Sequence, residues 1–305
     1  MHPDPLLIKN LDRKKIIKYV FRALLGILFL CSATAKLAGI DAFELYVFGL
    51  GLFPLGTSYV LARLVIAAEY TLGILLIANF YPRLAFWGAL ALLAGFTGLL
   101  SVLALTGHTD NCHCFGEWVN LSPVQSIWKN LGMLVLLLLS AGIPAFRVKH
   151  KALWLTLACV VPLATVLIVS PPDNWRYDSY ARHELVNEQA LQEAIESGIL
   201  PASVAEGDHV VCLYSLKCHY CKMSAQKLMT LRARGEFSNA PIIAIFGRGD
   251  NPDPAPFLEE TGFQPDEVYF IEPADFLRIT NGAYPVILVM HGAEPVEKYN
   301  YRNLH

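Results

Sequence analysis

Charged residues are scarce in this chain, and their scarcity excludes an ordinary soluble enzyme. Asp, Glu, Lys and Arg make up 16% of the 305 residues and hydrophobic residues 54%, whereas charged residues form about 25% of a typical soluble domain. A basic excess is missing as well: the formal net charge is -2, which gives no positive field for a nucleic acid, so no nucleic-acid partner is expected. We therefore expect a lipid bilayer to be one of the partners of this chain.

A cleavable secretion signal is not expected either. The first apolar run has no small-residue cleavage site and continues into CSATAKLAGI, so it is expected to remain as an anchor. A helix needs about 20 apolar residues to cross a bilayer. Runs of this kind predict five transmembrane helices, at residues 19–37, 60–80, 84–106, 124–146 and 152–170.

The apolar excess ends at Pro171 and Pro172, where charged and proline-rich sequence takes over. This shift predicts four parts: a four-span membrane domain with an external cysteine loop at 1–150, a fifth span at 151–172, a tether at 173–204 and a soluble domain at 205–305. The tether includes NEQALQEAIESG, which is typical of a short amphipathic helix ended by a glycine.

Lys and Arg residues occur in every second segment that flanks the predicted transmembrane helices. These segments lie before the first helix, between the second and third, and between the fourth and fifth. Cationic connections tend to stay in the cytoplasm. The pattern predicts a protein of the bacterial inner membrane with a cytoplasmic N-terminus, and it places the loop at residues 110–118 and everything after Ser170 in the periplasm. Disulfides persist in that compartment.

The soluble part contains HVVCLYS, typical of a buried strand, followed directly by KCHYCKMSAQKLMTLRAR, typical of a helix. Free N–H groups and the dipole at a helix N-terminus stabilise a thiolate, and Lys217 and His219 add positive charge. We predict that Cys218 is the nucleophile and that Cys221 resolves the mixed disulfide. Cys212 lies within the strand and is expected to serve packing. A structural disulfide is the other interpretation, and a zinc ribbon is disfavoured because this half has no second cysteine pair.

The stretch DNCHCFGEW at residues 110–118, the Cys-x-Cys loop, allows three interpretations. A bond between Cys112 and Cys114 would close a small strained ring, which raises the reduction potential and suits a transfer disulfide. Alternatively, zinc or copper could be bound by His108, Cys112, His113 and Cys114. The third interpretation is a structural disulfide between the two cysteines that has no redox activity. The second cysteine pair in the same compartment favours the transfer disulfide.

Ionisable residues at membrane depth tend to be functional or paired. Glu69 could relay the protons released by thiol oxidation, or it could pair with Arg63 or Lys36 to hold the bundle. Trp118 and Trp128 lie where interfacial anchors are expected, and they could also line a pocket for a quinone ring.

Cys31 and Cys159 raise a competing mechanism, in which an intramembrane cysteine pair passes reducing equivalents to a periplasmic reductase. The CcdA-like transporters work in this way. The two cysteines are predicted at opposite sides of the membrane, and buried cysteines commonly act as small apolar residues.

Further strand-like runs, PIIAIFG, EVYFI and YPVILVMHGAEP, follow the CHYC helix. With them, residues 205–305 resemble the thioredoxin-like family, particularly its membrane-anchored TlpA-type members. The resemblance implies an α/β thioredoxin-like fold in which Tyr284 and Pro285 form a cis peptide bond facing the active site. CHYC lacks the proline usual between the cysteines of that family, so the resemblance does not supply a redox potential.

The membrane half also resembles a family. FRALLGILFLCSATAKLAG, Glu69 and CHCFG are similar to the DoxX-like helical bundle of the methylamine-utilisation protein MauE, over residues 15–146. That resemblance implies a four-helix bundle with a role in disulfide maturation of periplasmic enzymes, alongside a separate thioredoxin-like protein of the MauD type. Here the two partners are fused, which weakens a dedication to methylamine metabolism and strengthens the disulfide interpretation.

Together these observations predict a membrane thiol:disulfide oxidoreductase that acts on cysteine-containing periplasmic client proteins. Electrons would pass from the CHYC pair to Cys112 and Cys114, and then to a quinone-type acceptor, by analogy with bacterial vitamin K epoxide reductase homologues. No covalently bound cofactor is expected. The direction of flow stays open, and a non-enzymatic metal-binding membrane protein is the remaining alternative.

Overall fold

The computed structural model describes residues 5–106, 119, 121–176, 186–249 and 252–304, with the backbone alone at 5–12, 174 and 176. The chain divides into two compact units, Met1–Pro171 and Pro172–His305. The division falls at the proline pair where the composition changes.

Helices are the only regular elements in the described part of the first unit. Its helices are α1 (Pro5–Ala38), α2 (Ile40–Gly49), α3 (Leu55–Ala78), α4 (Pro82–Leu105), α5 (Pro123–Leu139) and α6 (Lys151–Val169). Among the described residues, four helical segments are long and apolar enough to cross a membrane: Arg13–Ala38, α3, α4 and α6. This confirms the predicted membrane bundle.

Two elements differ from the sequence prediction. The expected span at 124–146 is a helix of 17 residues that ends at Leu139, because Gly142 adopts a left-handed φ of 76° and Pro144 follows. The additional helix α2 was not predicted. It forms because its apolar residues recur at helical spacing and are buried in the bundle, as Phe43 and Val47 show.

Helices α1 and α3 approach each other closely through two glycines. A Cβ atom on Gly26 would lie 2.9 Å from the Gly73 carbonyl oxygen, and one on Gly73 would lie 2.7 Å from the Leu30 side chain. Small residues at helix crossings allow such close backbone contact in membranes. The crossing places the polar residues of the two helices side by side.

The second unit is an α/β domain. Its elements are α7 (Asp173–Arg176), α8 (Glu188–Glu196), a 3-10 turn (Ala202–Ala205), β1 (Asp208–Tyr214), α9 (His219–Ala233), β2 (Ile242–Gly247), α10 (Ala255–Thr261), β3 (Glu267–Ile271), α11 (Pro273–Ile279), β4 (Val286–His291) and β5 (Glu294–Tyr299). The strand order is β3-β2-β1-β4-β5. Strands β1, β2 and β3 are parallel, whereas β4 and β5 run antiparallel to their neighbours. This arrangement fits the thioredoxin-like fold.

Helix α8 and the 3-10 turn lie in the stretch expected to be a tether, yet both belong to the core of this domain. Leu191, Ala194 and Val204 are buried in the same cluster as the central strands. Asn187 caps α8, since its side chain accepts a hydrogen bond from the Ala190 N–H at 3.0 Å. The amphipathic helix therefore packs its apolar face on the sheet.

Candidate redox site

Cys218 is the N-cap residue of α9, directly after the turn that leaves the central strand β1. The backbone N–H of Cys218 donates to the Ser215 carbonyl oxygen at 3.1 Å and closes this turn. The backbone N–H of Cys221 donates to the Cys218 sulfur at 3.2 Å. Cys218 is half-buried, whereas Cys221 is fully buried, and neither forms a disulfide. The pair therefore presents one reachable sulfur and one protected sulfur.

The surroundings of Cys218 favour its thiolate. A hydrogen bond from the Cys221 thiol is the largest cause of a pKa lowered to about 6, and the backbone N–H groups of Cys221 and Tyr220 and the charge of His219 act in the same direction. Burial opposes them. At neutral pH Cys218 is therefore mainly a thiolate, which is the nucleophilic form of cysteine.

Cys221 has the opposite character. Burial is the main cause that raises its pKa, and its hydrogen bond to the Cys218 sulfur adds to the effect. The Ser215 N–H donates to the Cys221 sulfur at 3.4 Å. Cys221 thus stays protonated while Cys218 is a thiolate, and it loses its proton only when it attacks the mixed disulfide.

Cys212 is fully buried in β1, and burial raises the pKa of its thiol to about 12. A thiol that stays protonated at neutral pH is a poor nucleophile. The structure thus places Cys212 in the packing of the central strand.

Pro285 lies at the same end of the sheet as the cysteines. It directly precedes Val286, which pairs with Leu213 near the end of β1, and Cys218 follows that strand. The Tyr284–Pro285 peptide bond is cis, as the family resemblance implied. Pro285 is buried, while Tyr284 is exposed and packs on Phe276 with ring centroids 5.7 Å apart.

Lys217 and His219, predicted to surround the nucleophile with positive charge, are both exposed beside Cys218. The His219 ring contacts the edge of Tyr220, with centroids 5.7 Å apart. Of the two, His219 is the residue that contributes to the lowered pKa of Cys218.

Sequence reasoning missed an aromatic and cationic cluster beside the CHYC motif. The Tyr220 and Tyr301 rings lie 5.5 Å apart, and the Arg302 guanidinium lies 5.5 Å from each ring centroid. Lys227, buried on α9, donates to the Tyr301 carbonyl oxygen at 2.9 Å. These contacts fix the C-terminal turn against α9. Tyr220 and Arg302 are 82 residues apart in the sequence, so local motifs could not predict their contact.

In the membrane unit, Glu69 pairs with Lys36 and not with Arg63. The Lys36 ammonium lies 2.8 and 2.9 Å from the two Glu69 oxygens and 2.6 Å from the Ser32 hydroxyl, and the pair is buried. Arg63 instead pairs with Glu44 and also donates to the Ser170 carbonyl oxygen at 2.7 Å. Glu44 was not among the predicted residues, although a lone acid within the apolar FELYVF stretch was a signal for it.

A cavity of about 20 Å³ adjoins Lys36 and Glu69. It has room for about one water molecule, and a quinone ring does not fit there. Trp128 does not line this cavity and is 68% exposed on α5, as an interfacial anchor would be.

Some predicted residues lie outside the described part of the chain. They are the residues of the Cys-x-Cys loop and its surroundings: His108, Cys112, His113, Cys114 and Trp118. Cys31 and Cys159 are described, and both are exposed on their helices with no disulfide between them.

Comparison with known proteins agrees with this division. Residues 14–143 match the family model of the methylamine utilisation protein MauE. The chain is similar to Protein TlpB of Flavobacterium psychrophilum, at 27% identity over 303 aligned positions that cover 82% of each chain. No solved structure matches the chain. This membrane protein therefore combines a region similar to the MauE family, at residues 14–143, with a C-terminal domain of thioredoxin-like fold.

Proposed function

We propose that the chain is a membrane-bound thiol:disulfide oxidoreductase that exchanges disulfides with periplasmic client proteins through Cys218 and Cys221. The observation that carries the proposal is the unequal pair at α9: a half-exposed Cys218 with a pKa lowered to about 6, and a buried Cys221 with a raised pKa. Similarity to Protein TlpB and to the MauE family supports a redox role at the membrane.

Client oxidation uses the disulfide form of the pair. A client thiolate attacks the Cys218 sulfur, the Cys218–Cys221 bond breaks, and Cys221 leaves and takes up a proton. The second client thiol loses its proton and attacks the mixed disulfide, which releases Cys218 as a thiolate. The client has then lost two electrons, and the CHYC pair has gained them.

The low pKa of Cys218 favours this direction. A stable thiolate lowers the free energy of the reduced pair, which makes the disulfide form a better oxidant and Cys218 a better leaving group. Client proteins with free cysteines are therefore the proposed electron donors.

We further propose that Cys112 and Cys114 reoxidise the CHYC pair by the same exchange chemistry. The distribution of Lys and Arg supports a cytoplasmic N-terminus. With that orientation, the Cys-x-Cys loop and the CHYC motif both follow spans that end in the periplasm, so the two cysteine pairs share one compartment. Glu69 is the proposed proton acceptor, supported by its burial beside Lys36 and a cavity for one water. A quinone as the final oxidant is supported only by the order of domains, a membrane bundle followed by a thioredoxin-like domain. The cavity at Glu69 is too small for a quinone.

The exchange is tested by trapping. In full-length protein carrying Cys221→Ala, the Cys218 thiolate can still attack a client disulfide, the reverse of the last exchange step, but Cys221 is no longer present to resolve the mixed disulfide. Mixed disulfides are therefore expected to accumulate on non-reducing gels. Adding Cys218→Ser should abolish them, whereas adding Cys212→Ala should leave them unchanged. Mixed disulfides that persist without Cys218 would contradict the proposal.

The relay needs its own trap. With Cys114→Ala and Cys221→Ala combined, mass spectrometry is expected to identify a bond between Cys112 and Cys218; the pairing of Cys112→Ala with Cys221→Ala tests Cys114 as the partner. If neither variant forms the bond while clients are still trapped, the relay fails and the client exchange stands.

A further inference from the structure

We propose that the membrane unit binds the headgroup of an anionic phospholipid, in a pocket that Arg22 lines at the N-terminal end of α4. The pocket lies at the N-terminal end of α4, beside Pro82, whereas the loop follows the other end of that helix at Leu105. Helix α4 has 24 residues and spans about 36 Å. The pocket is therefore distinct from the redox path.

The pocket has a volume of about 770 Å³, within the roughly 300–1,000 Å³ common for ligand sites. Leu84, Phe86 and Trp87 of α4 supply apolar walls. Trp87 is 65% exposed, which suits an aromatic side chain at the headgroup level of a bilayer. Such walls admit the acyl chains of a lipid next to a polar centre.

The polar centre is Arg22, of which only 2% is exposed. One of its terminal N–H groups donates to the Pro82 carbonyl oxygen at 3.0 Å, and its buried Nε has no acceptor in the described part of the chain. No carboxylate among the described residues forms an ion pair with it. A buried charge without a counterion is costly in a low-dielectric setting, so an anion reaching Arg22 would be strongly stabilised.

Two further cations line the same pocket: Arg83, which is exposed, and Lys151 at the start of α6. None of the described residues that line it is acidic. A phosphodiester with net negative charge complements this set, and basic pockets between transmembrane helices on the cytoplasmic side are typical sites for anionic lipid headgroups.

The pocket wall formed by residues 141–145 is held in place by specific contacts. Lys18 donates to the Ala141 carbonyl oxygen at 2.7 Å, and the Asn79 side chain donates to the Pro144 carbonyl oxygen at 2.9 Å. The Phe146 N–H donates to the Asn79 carbonyl oxygen at 3.0 Å. These bonds fix the segment after α5 across the helix ends, so the site is formed before any ligand arrives.

The test is native mass spectrometry of the purified full-length protein. Dioleoylphosphatidylglycerol and dioleoylphosphatidylcholine carry the same acyl chains and differ in headgroup charge. We expect the wild-type protein to retain the anionic lipid at least tenfold better, and Arg22→Gln to reduce this preference to twofold or less. Arg13→Gln removes an exposed arginine of the same helix, and it should keep the wild-type preference.

A second variant keeps the test decisive if Arg22→Gln does not fold. Arg83→Gln combined with Lys151→Gln leaves the buried centre intact and should reduce the preference at least threefold. An unchanged preference in the folded variants would overturn the proposal, as would an equal loss in Arg13→Gln. Inorganic phosphate bound with the same dependence on Arg22 would overturn the lipid assignment. Alkylation of Cys218 should be unchanged in all these variants, so failure here is separate from failure of the redox proposal.

Discussion

At the scale of single residues, the division of labour between Cys218 and Cys221 follows from burial and hydrogen bonding. We expect iodoacetamide to alkylate the reduced protein at Cys218 with a rate that depends on pH around a midpoint of about 6, because its pKa is lowered to that value from an ordinary 9.0. The rate should be level above about pH 7 and about tenfold lower at pH 5. Mass spectrometry of the labelled peptides measures it.

The sign of this dependence distinguishes a stabilised thiolate from an ordinary thiol. The thiolate and its stabilisation are lost as the pH falls through 6, whereas an ordinary cysteine would still gain reactivity up to pH 9. Cys212 and Cys221 are internal controls and should stay unlabelled in the folded protein. A midpoint near 9 for Cys218 would contradict the proposed nucleophile.

The Lys36–Glu69 pair makes a second prediction at this scale. Lys36→Met should destabilise the membrane unit by about 3–5 kcal/mol, because it leaves a buried carboxylate without its partner. Replacing both residues by Met should restore stability, since two well-packed apolar side chains replace a buried ion pair at little or no cost. Thermal unfolding in detergent measures both.

The double variant also separates a structural pair from a proton relay. If Glu69 accepts protons, the stable double variant should alkylate normally at Cys218 and yet reoxidise its CHYC pair at least tenfold more slowly. A normal reoxidation rate in the double variant would show that the Lys36–Glu69 ion pair has only a structural role.

Residue roles were predictable from sequence where the chemistry is local. The CHYC motif lies within four residues at a helix N-terminus, so burial and dipole effects could be inferred from the motif itself. The choice of Lys36 over Arg63 as the partner of Glu69 depends on the packing of α1 against α3. The contact of Arg302 with Tyr220 joins distant parts of the chain, and no local pattern contains it.

At the scale of elements, the crossing of α1 and α3 depends on glycine. Gly73→Ala should lower stability by roughly 1–3 kcal/mol, the usual cost of overpacking, because its Cβ would lie 2.7 Å from the Leu30 side chain and 3.0 Å from the Gly26 carbonyl oxygen. Gly95→Ala is the matched control: it is another glycine within a membrane helix, but open space surrounds it. Thermal unfolding of both variants checks the difference, and equal stability would contradict the close crossing.

Element boundaries were less predictable than element types. A run of apolar residues does not show where a helix stops, so the predicted span at 124–146 extended beyond Leu139 to include a glycine turn and a proline. Helix α8 was predicted as a helix but assigned to a tether, because its burial against the sheet depends on strands that come later in the chain.

At the scale of the whole molecule, the proposed orientation is testable with the cysteine itself. In a full-length variant whose only cysteine is Cys218, a membrane-impermeant maleimide should label intact cells once the outer membrane is permeabilised. Labelling that appears only after cell lysis would indicate the opposite orientation. As a control, Cys218→Ser in the same background should show no labelling.

The ion pair between Lys36 and Glu69 has an electrical consequence. As a pair the two charges cancel, but a proton that reaches Glu69 leaves the Lys36 ammonium as a net positive charge inside the apolar bundle. Moving one elementary charge across the whole membrane changes the free energy by about 2.3 kcal/mol per 100 mV. A proton that enters from one face and stops at this depth crosses part of that field, so under the proposed relay the rate of reoxidation would depend on the membrane voltage of the cell.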